Sequence, residues 1–441
     1  MEKPSSAVRD VLIRLARTMG ENRVRRISKA PESILVRPKT NDDVITIMKL
    51  AVKHNVPIIP RRRWIALAET MVKSQIIMDL SDMNGIFKID EENLAVTCGP
   101  GVLWKDLNET LSKGGLSLGV YPVVAAPSVG DWIDEGGTGI GSYTHGFAAD
   151  QVRTLEVVLP DGKLINTGFK NVLSNSSGYN LNGLFVGADS TLGVVTKVTL
   201  KLYPAPEETR PIFYTFSDIT GMTKALHDLT RIKATPLNIS FYDHYHLKSL
   251  QLFGRDVTSL PGASLLNITL SGLTSIVEHD EGVIDEVMGR QEAKKEESER
   301  AQVLWDERFF YVEPKPAGLI PVFGEALVPA SKLNDMINEA HTLIKKMGLK
   351  GAVTGTLCDR STVSFSPYFL IRESQFRKSR LPTVFNQQIG EMALKHDGRP
   401  MGSSMMLGLN PRQIFGEGIN TILDIKTALD PHNIMNPRDF A

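Results

Sequence analysis

Residues 122–146, PVVAAPSVGDWIDEGGTGIGSYTHG, constrain this chain more than any other stretch. Six glycines (Gly130, Gly136, Gly137, Gly139, Gly141 and Gly146) stand among small and hydroxyl-bearing residues, without regular apolar periodicity. Glycine lacks a Cβ and tolerates positive φ. Such a run therefore predicts a loop whose backbone N–H groups converge on an anion or lie flat against a planar ring. The alternative is a long surface loop with no ligand. The flanking segments decide between the two.

The stretch sits inside an ordered series of elements. Residues 7–18 place Val8, Val11, Leu12 and Leu15 on one face of a short helix. SILVRP reads as a strand halted by Pro38, and Thr40 or Asn41 can cap a helix over DDVITIMKLAVKHN. VPIIP (56–60) and SQIIMDL (74–80) read as further strands on either side of RRRWIALAET. A β-α-β opening favours parallel pairing and sets the loop after Pro60 at the carboxyl end of a strand, where ligands bind in α/β sheets. The segment from Ile86 to Gly99 is a hairpin, followed by a helix over VLWKDLNETLSKGG that Gly114 and Gly115 close. Residues 152–168 form a second hairpin around Pro160-Asp161-Gly162, and a short helix leads into the β run Val194–Tyr203. Pro204 and Pro206 mark a boundary.

Beyond it, the strands FYTFSD, LNISFYD, SLLNITLSG, FGEALVP, AVTGTL and VSFSPYF alternate with helices over MTKALHDLTRI and EGVIDEVMGRQEAKKEESER. EAKKEESER is expected to be a solvated helix face with i,i+4 ion pairs.

The series RPKTNDDV (37–44), VPIIPR (56–61), IIMDLSDMN (76–84), VTCGPGVLWKDL (96–107), SVGDWIDEGGTGIGSYTHG (128–146), LEVVLPDGKL (155–164) and TLGVVTKVTLKLYP (191–204) resembles the FAD-binding domain of the vanillyl-alcohol-oxidase and p-cresol-methylhydroxylase flavoproteins. It is most similar to the branch holding D-lactate dehydrogenases and the glycolate oxidase FAD subunit. The resemblance implies an α+β fold: a two-subdomain FAD-binding domain, with a small parallel βαβ part and a larger mixed or antiparallel part, under an antiparallel α+β cap. The expected boundaries are 1–30 for an N-terminal helical segment, 31–205 for the FAD-binding domain, 206–405 for the cap and 406–441 for a segment returning to the FAD domain.

It also implies non-covalent FAD between the subdomains, its pyrophosphate held by backbone amides of the loop after Pro60 and of the glycine stretch. The cofactor-binding residues are then Arg61, Arg62, Arg63, Trp64, Ile65, Pro122, Ser128, Val129, Gly130, Gly136, Gly137, Gly139, Ser142, Gly193, Val194 and Val195. The chain departs from the family at this ligand. The usual Arg-Gly-Gly-Gly-Thr is Arg61 to Ile65, a glycine pair is Gly130-Asp131, and the usual Glu-Gly is Asp189-Ser190. The arginines either give charge-assisted hydrogen bonds to the diphosphate or form a solvated basic turn. His145 either faces the flavin or is a hydrogen-bonded structural residue.

By the same resemblance Arg308, in WDERF, stands where relatives place a substrate carboxylate clamp. His396 and Arg399, in KHDGRPMGSS, stand where catalytic residues return toward the flavin and are candidates for base and anion-binding group; a surface turn at Asp397-Gly398 is the alternative. The histidine-rich metal signature of the D-lactate branch is missing, so no catalytic metal is expected.

The implied activity is oxidation of a small, D-lactate- or glycolate-like 2-hydroxy acid by hydride transfer to flavin N5. The alternative is a paralogue that has lost FAD and serves as a structural or regulatory subunit of a flavoenzyme complex. An alkyl-transferring flavoenzyme is a third possibility, weakened by its missing histidine cluster.

Composition limits the partners. Fifty Lys and Arg balance fifty Asp and Glu, which gives no bulk electrostatic case for nucleic acid or an anionic membrane. Two cysteines, Cys98 and Cys358, suit a reducing compartment. No apolar run reaches the roughly 18 residues of a membrane span, and the amino-terminal segment lacks the apolar core of a secretory signal. A cytoplasmic homo- or hetero-oligomer is expected, with a hydroxy-acid substrate and an electron acceptor or partner subunit.

Overall fold

The computed structural model describes residues 6–29, 32–60, 74–122, 128–169, 172, 177–252, 264–306, 318–376, 379–401 and 409–437. Helix α1 (Ser6–Met19) buries Val8, Val11 and Leu15 against the first sheet. Strands β1 (Val24–Lys29) and β2 (Glu32–Val36) pair antiparallel. β1 was not among the expected strands, because its run of arginine and lysine hides the alternation. Those charges suit an edge strand, where they oppose pairing with another chain. Helix α2 (Asn41–His54) begins at a reciprocal Thr40–Asp43 capping box and ends at Asn55 in the left-handed region. It crosses to β3 (Ile58–Pro60), and β4 (Gln75–Met78) lies between β2 and β3, parallel to both. The order β1-β2-β4-β3 sets the carboxyl ends of three parallel strands side by side.

The second sheet has six strands: β5 (Ile86–Asp90), β6 (Ala95–Cys98), β7 (Leu116–Leu118), β8 (Val152–Val158), β9 (Leu164–Asn166) and β10 (Val194–Pro204). Its path is β5-β6-β10-β8-β9, with β7 also on β10, and the pairs are antiparallel. Helix α3 (Trp104–Ser112) buries Trp104, Leu107 and Leu111. The glycine stretch is not wholly a loop. Ser128 caps a seven-residue helix, α4 (Val129–Glu135), which Gly136 closes at φ +64°, and Trp132 and Ile133 are buried beneath it. Trp132 meets Trp104 edge to face at 5.1 Å. A single turn, α5 (Ser142–His145), follows. The apolar spacing was too short to reveal either helix.

The cap is one nine-stranded antiparallel sheet built from β11 (Glu208–Phe216), β12 (Asn238–Asp243), β13 (Ser264–Gly272), β14 (Lys294–Lys295), β15 (Leu319–Phe323), β16 (Ala326–Pro329), β17 (Gly351–Leu357), β18 (Thr362–Arg372) and β19 (Arg399–Pro400). One face carries α6 (Ile219–Leu229), α8 (Thr274–Arg290), α10 (Leu333–Lys346) and α11 (Leu381–Lys395) over a core that includes Ile239, Phe241, Ile268 and Phe365. On the other face, α7 (His244–Leu252) and α9 (Ser298–Asp306) bury Leu247, Leu250 and Ala301 against Phe213 and Leu265.

EAKKEESER is not the continuous helix face expected. Glu292 turns left-handed at φ +54°, Lys294 and Lys295 form edge strand β14 on β11, and the next helix starts at Ser298. Buried Glu296 accepts from Thr215 Oγ1, which fixes the strand in place of the helix.

The carboxyl-terminal helix α12 (Gly418–Leu429) precedes a segment that docks on β3, where Ile58 N–H donates to Ile434 and Asn436 N–H donates to Ile58. Among the described residues no helix is long and apolar enough to cross a membrane.

Candidate cofactor and substrate site

A cleft opens where the two sheets of the first domain meet. Pro60 at the end of β3, Leu80 and Ser81 after β4, Pro100 and Gly101, and the residues Ser128, Gly130, Asp131, Asp134, Ser190 and Val195 line it. Close backbone approach builds the walls. A Cβ at Gly101 would lie 2.5 Å from Leu80 O, and one at Gly130 would lie 2.6 Å from Pro100 Cβ.

The amides at the start of α4 find acceptors within the protein. Val129 N–H donates to Val102 O, Gly130 N–H to Pro100 O, and Asp131 N–H to Ser128 Oγ, whose own hydroxyl donates to Asp131 Oδ2 at 2.7 Å. The expected amide cradle would draw on Val129 and Gly130, whose donors are engaged within the protein in this structure. The structure uses those donors for packing and for a self-closed cap.

Asp134, at the other end of α4, accepts from both Ser190 N–H and Ser190 Oγ at 2.6 Å. Asp189 and Ser190 are left-handed at φ +49° and +53°. A carboxylate thus secures a serine in a backbone region that favours glycine. The carboxyl-terminal segment buttresses this turn. Asn436 Nδ2 donates to Asp189 O, and buried Lys426 donates to Thr191 O, Met435 O and Asp430 Oδ2.

The cleft sits at the carboxyl ends of β3 and β4, the end of a parallel sheet at which dinucleotides bind. Its described polar lining suits the neutral parts of one better than the diphosphate, since Asp131 and Asp134 both face it. Arg61, Arg62, Arg63, Trp64 and Ile65 follow Pro60 in the chain and lie outside the described residues, as does Arg308.

Of the other expected cofactor residues, Val195 lines the cleft, while Pro122, Gly136, Gly137, Gly139, Ser142, Gly193 and Val194 are not among its lining residues. Gly139 presses on the Tyr121 carbonyl, where an added Cβ would come within 2.1 Å, and its N–H donates to Ser142 Oγ. His145 packs against Tyr203 at 4.3 Å, and burial together with Lys201 lowers its pKa. That is the structural role.

The far end of the glycine stretch meets the cap. Gly141 N–H donates to Leu237 O, Thr144 Oγ1 donates to Pro236 O, and Tyr143 packs on the cap core with the Arg360 guanidinium 5.8 Å from its ring. Burial pushes the Cys358 thiol up to about 12, and a hydrogen bond with Thr138 pulls the other way.

This contact leads onto a polar sheet face. Side chains alternate along a strand. Since Ile239, Phe241, Leu266, Ile268 and Val353 face the helix-covered core, Asn238, Ser240, Asn267, Thr269, Thr354 and Thr356 face the other way. His396 is on the helix side, its Nε2 2.9 Å from Glu339 Oε1 of α10. Arg399 is exposed in edge strand β19, opposite Leu327. Neither adjoins the polar face. Sequence reasoning missed that face and Asp134, although N-I-S and N-I-T at period two signalled a polar row opposite an apolar one.

The comparisons agree with this architecture. Residues 32–168 match the FAD binding domain family, and residues 205–440 match the C-terminal domain of FAD linked oxidases. Glycolate oxidase subunit GlcD of Bacillus subtilis is 26% identical over 422 residues, 92% of this chain and 88% of that protein. D-lactate dehydrogenase of Archaeoglobus fulgidus is 25% identical over 419 residues, 92% and 91% of the two chains. Among solved structures, p-cresol methylhydroxylase with substrate bound superposes with a TM-score of 0.78 at 18% identity, covering 99% of this chain and 97% of that one. 4-Ethylphenol oxidase from Gulosibacter chungangensis gives 0.79 at 16%, with the same coverage.

Proposed function

The chain belongs to the FAD linked oxidases, and from that premise we propose that it oxidises a small 2-hydroxy acid to the 2-oxo acid. When bound, FAD supplies the ring that accepts the hydride at N5. The hydroxyl proton leaves to a general base, and the described residues bind and orient. Ser128, Gly130 and Val195 present the cleft wall to the dinucleotide, Asp134 and the carboxyl-terminal segment hold the Asp189–Ser190 turn, and the cap sheet carries the uncharged groups of Asn238, Ser240, Asn267 and Thr269, beginning one residue after Leu237, whose carbonyl accepts from Gly141. The observation that carries the reading is this polar face beside the end of the glycine stretch, in a chain whose relatives are named for glycolate and D-lactate.

Anaerobic mixing of the FAD-loaded protein with D-lactate, L-lactate, glycolate and a 4-alkylphenol tests it. Bleaching of the flavin by a hydroxy acid and not by the phenol supports the reading; bleaching by the phenol alone overturns it. The carboxylates of Asp131 and Asp134 in the cleft favour a second reading, a subunit beside an active partner, and GlcD is itself named a subunit. A protein that takes up no FAD under the same conditions would select it.

A further inference from the structure

The polar face of the cap sheet contains hydrogen-bonding atoms that the protein leaves without partners. Asn238 and Asn267 are 4% and 1% exposed, and Thr269 is fully buried. Yet among the described residues Asn238 Oδ1, Asn267 Oδ1 and Thr269 Oγ1 have no hydrogen-bond partner. An orphaned buried polar atom costs about 1–3 kcal/mol, so three in one place call for an explanation.

They are neighbours. Asn238 stands opposite Thr269 across the β12–β13 pair, and Ser240 stands opposite Asn267. Asn238 Nδ2 donates to Ser240 Oγ at 2.9 Å, and Ser240 Oγ is 2.9 Å from Thr356 Oγ1 on β17. That internal chain orients Asn238 and leaves its carbonyl oxygen free. The cluster begins immediately after Pro236 and Leu237, whose carbonyls accept from Thr144 and Gly141 of the glycine stretch.

We propose that Asn238, Asn267 and Thr269 form a substrate subsite for neutral hydroxyl groups, which makes the substrate a 2-hydroxy acid bearing further hydroxyls, of the aldonic-acid class. This rests on the oxidoreductase reading above. The chemistry of the orphans selects the ligand. Two amide carbonyl oxygens accept and cannot donate, so they repel a carboxylate and favour O–H or N–H donors. The surrounding Ser240, Thr354 and Thr356 are uncharged, so an ammonium would find no counter-charge on this row of the sheet. Hydroxyls fit both conditions, and Thr269 Oγ1 can donate to one and accept from another.

The test uses the FAD-loaded full chain, with D-gluconate, D-glycerate, D-lactate and glycolate as probes. Equilibrium binding is measured by calorimetry and flavin reduction by anaerobic stopped flow. The proposal expects gluconate or glycerate to bind at least about tenfold more tightly than lactate, the value of one satisfied hydrogen bond. Asn267→Leu and the near-isosteric Thr269→Val should each bring that ratio down about tenfold toward parity, with melting temperature unchanged or raised, because each removes an unpaired buried group. Equal binding of all four acids, or a ratio that survives both substitutions, overturns the proposal. So does a marked fall in the melting temperature of both variants with the ratio intact, since it would mean that the side chains serve the fold. If gluconate binds in an Asn267-dependent way without bleaching the flavin, the subsite stands and the proposed reaction falls. If lactate and glycolate alone bleach the flavin, the reaction stands and the subsite falls.

Discussion

Asp134 holds Ser190 by two hydrogen bonds of 2.6 Å, one from the backbone N–H and one from the hydroxyl, while Ser190 sits at φ +53°. A side chain in the left-handed region is disfavoured, and a carboxylate accepting two bonds outweighs that cost. Asp134→Ala should therefore lower stability by about 2–3 kcal/mol. Ser190→Gly should stay within about 1 kcal/mol of wild type, because relief of strain offsets the lost hydroxyl bond. Urea unfolding of both variants checks this; equal losses would contradict it.

Lys426 and Asp430 form a buried ion pair at 2.5 Å, and the ammonium also donates to the carbonyls of Thr191 and Met435. Lys426→Met leaves Asp430, 2% exposed, without its cation and should cost about 3–5 kcal/mol. Lys426→Met with Asp430→Leu should cost less than the sum of the two single changes. Strict additivity in thermal melts would show that the two groups do not depend on each other.

His246 is buried, with Nδ1 2.9 Å from the Tyr368 hydroxyl, and burial pushes its pKa down to about 3. The unfolded chain binds this proton near pH 6.5, so between the two values the unfolded state carries more protons and stability rises with pH. The stabilisation is complete above about pH 6.5 and is lost progressively below it, by about 2 kcal/mol between pH 6.5 and pH 5 from this group alone. His246→Gln should flatten the pH dependence of unfolding over that window by this amount. An unchanged slope would contradict the burial argument.

Gly139 and Gly136 test the backbone packing of the glycine stretch. A Cβ at Gly139 would lie 2.1 Å from Tyr121 O, and one at Gly136 would lie 2.7 Å from Gly187 Cα at a backbone φ of +64°. Each Gly→Ala change should cost about 1–3 kcal/mol and reduce the flavin retained after gel filtration. Retention equal to wild type would show that this packing does not shape the cofactor site.

The individual strands were legible because they are β-branched runs separated by strong punctuation, Thr40 as a cap, Gly114-Gly115 as a stop and Pro160-Asp161-Gly162 as a turn, while the two-subdomain architecture and the cap came from the family resemblance. β1 was not, since Arg25 and Arg26 break its alternation, and α4 was not, since seven residues give too few turns for a periodic signal. Ser128, Gly130 and Val195, expected at the cofactor from the motifs they lie in, line the cleft. Asp134, Asn238 and Asn267 escaped notice because their roles depend on pairings across 56 residues for Asp134–Ser190 and across strands for the asparagines. No local pattern encodes such contacts. His396 looked catalytic beside a glycine turn, yet it closes a helix–helix contact with Glu339.

The most direct test of the account is the visible absorption spectrum of the purified protein after incubation with excess FAD and removal of free ligand, followed by anaerobic addition of a 2-hydroxy acid. Flavin bands at a stoichiometry of one per chain, bleached by the acid, are the expected result. A colourless protein, or a bound flavin that no 2-hydroxy acid reduces, would contradict it.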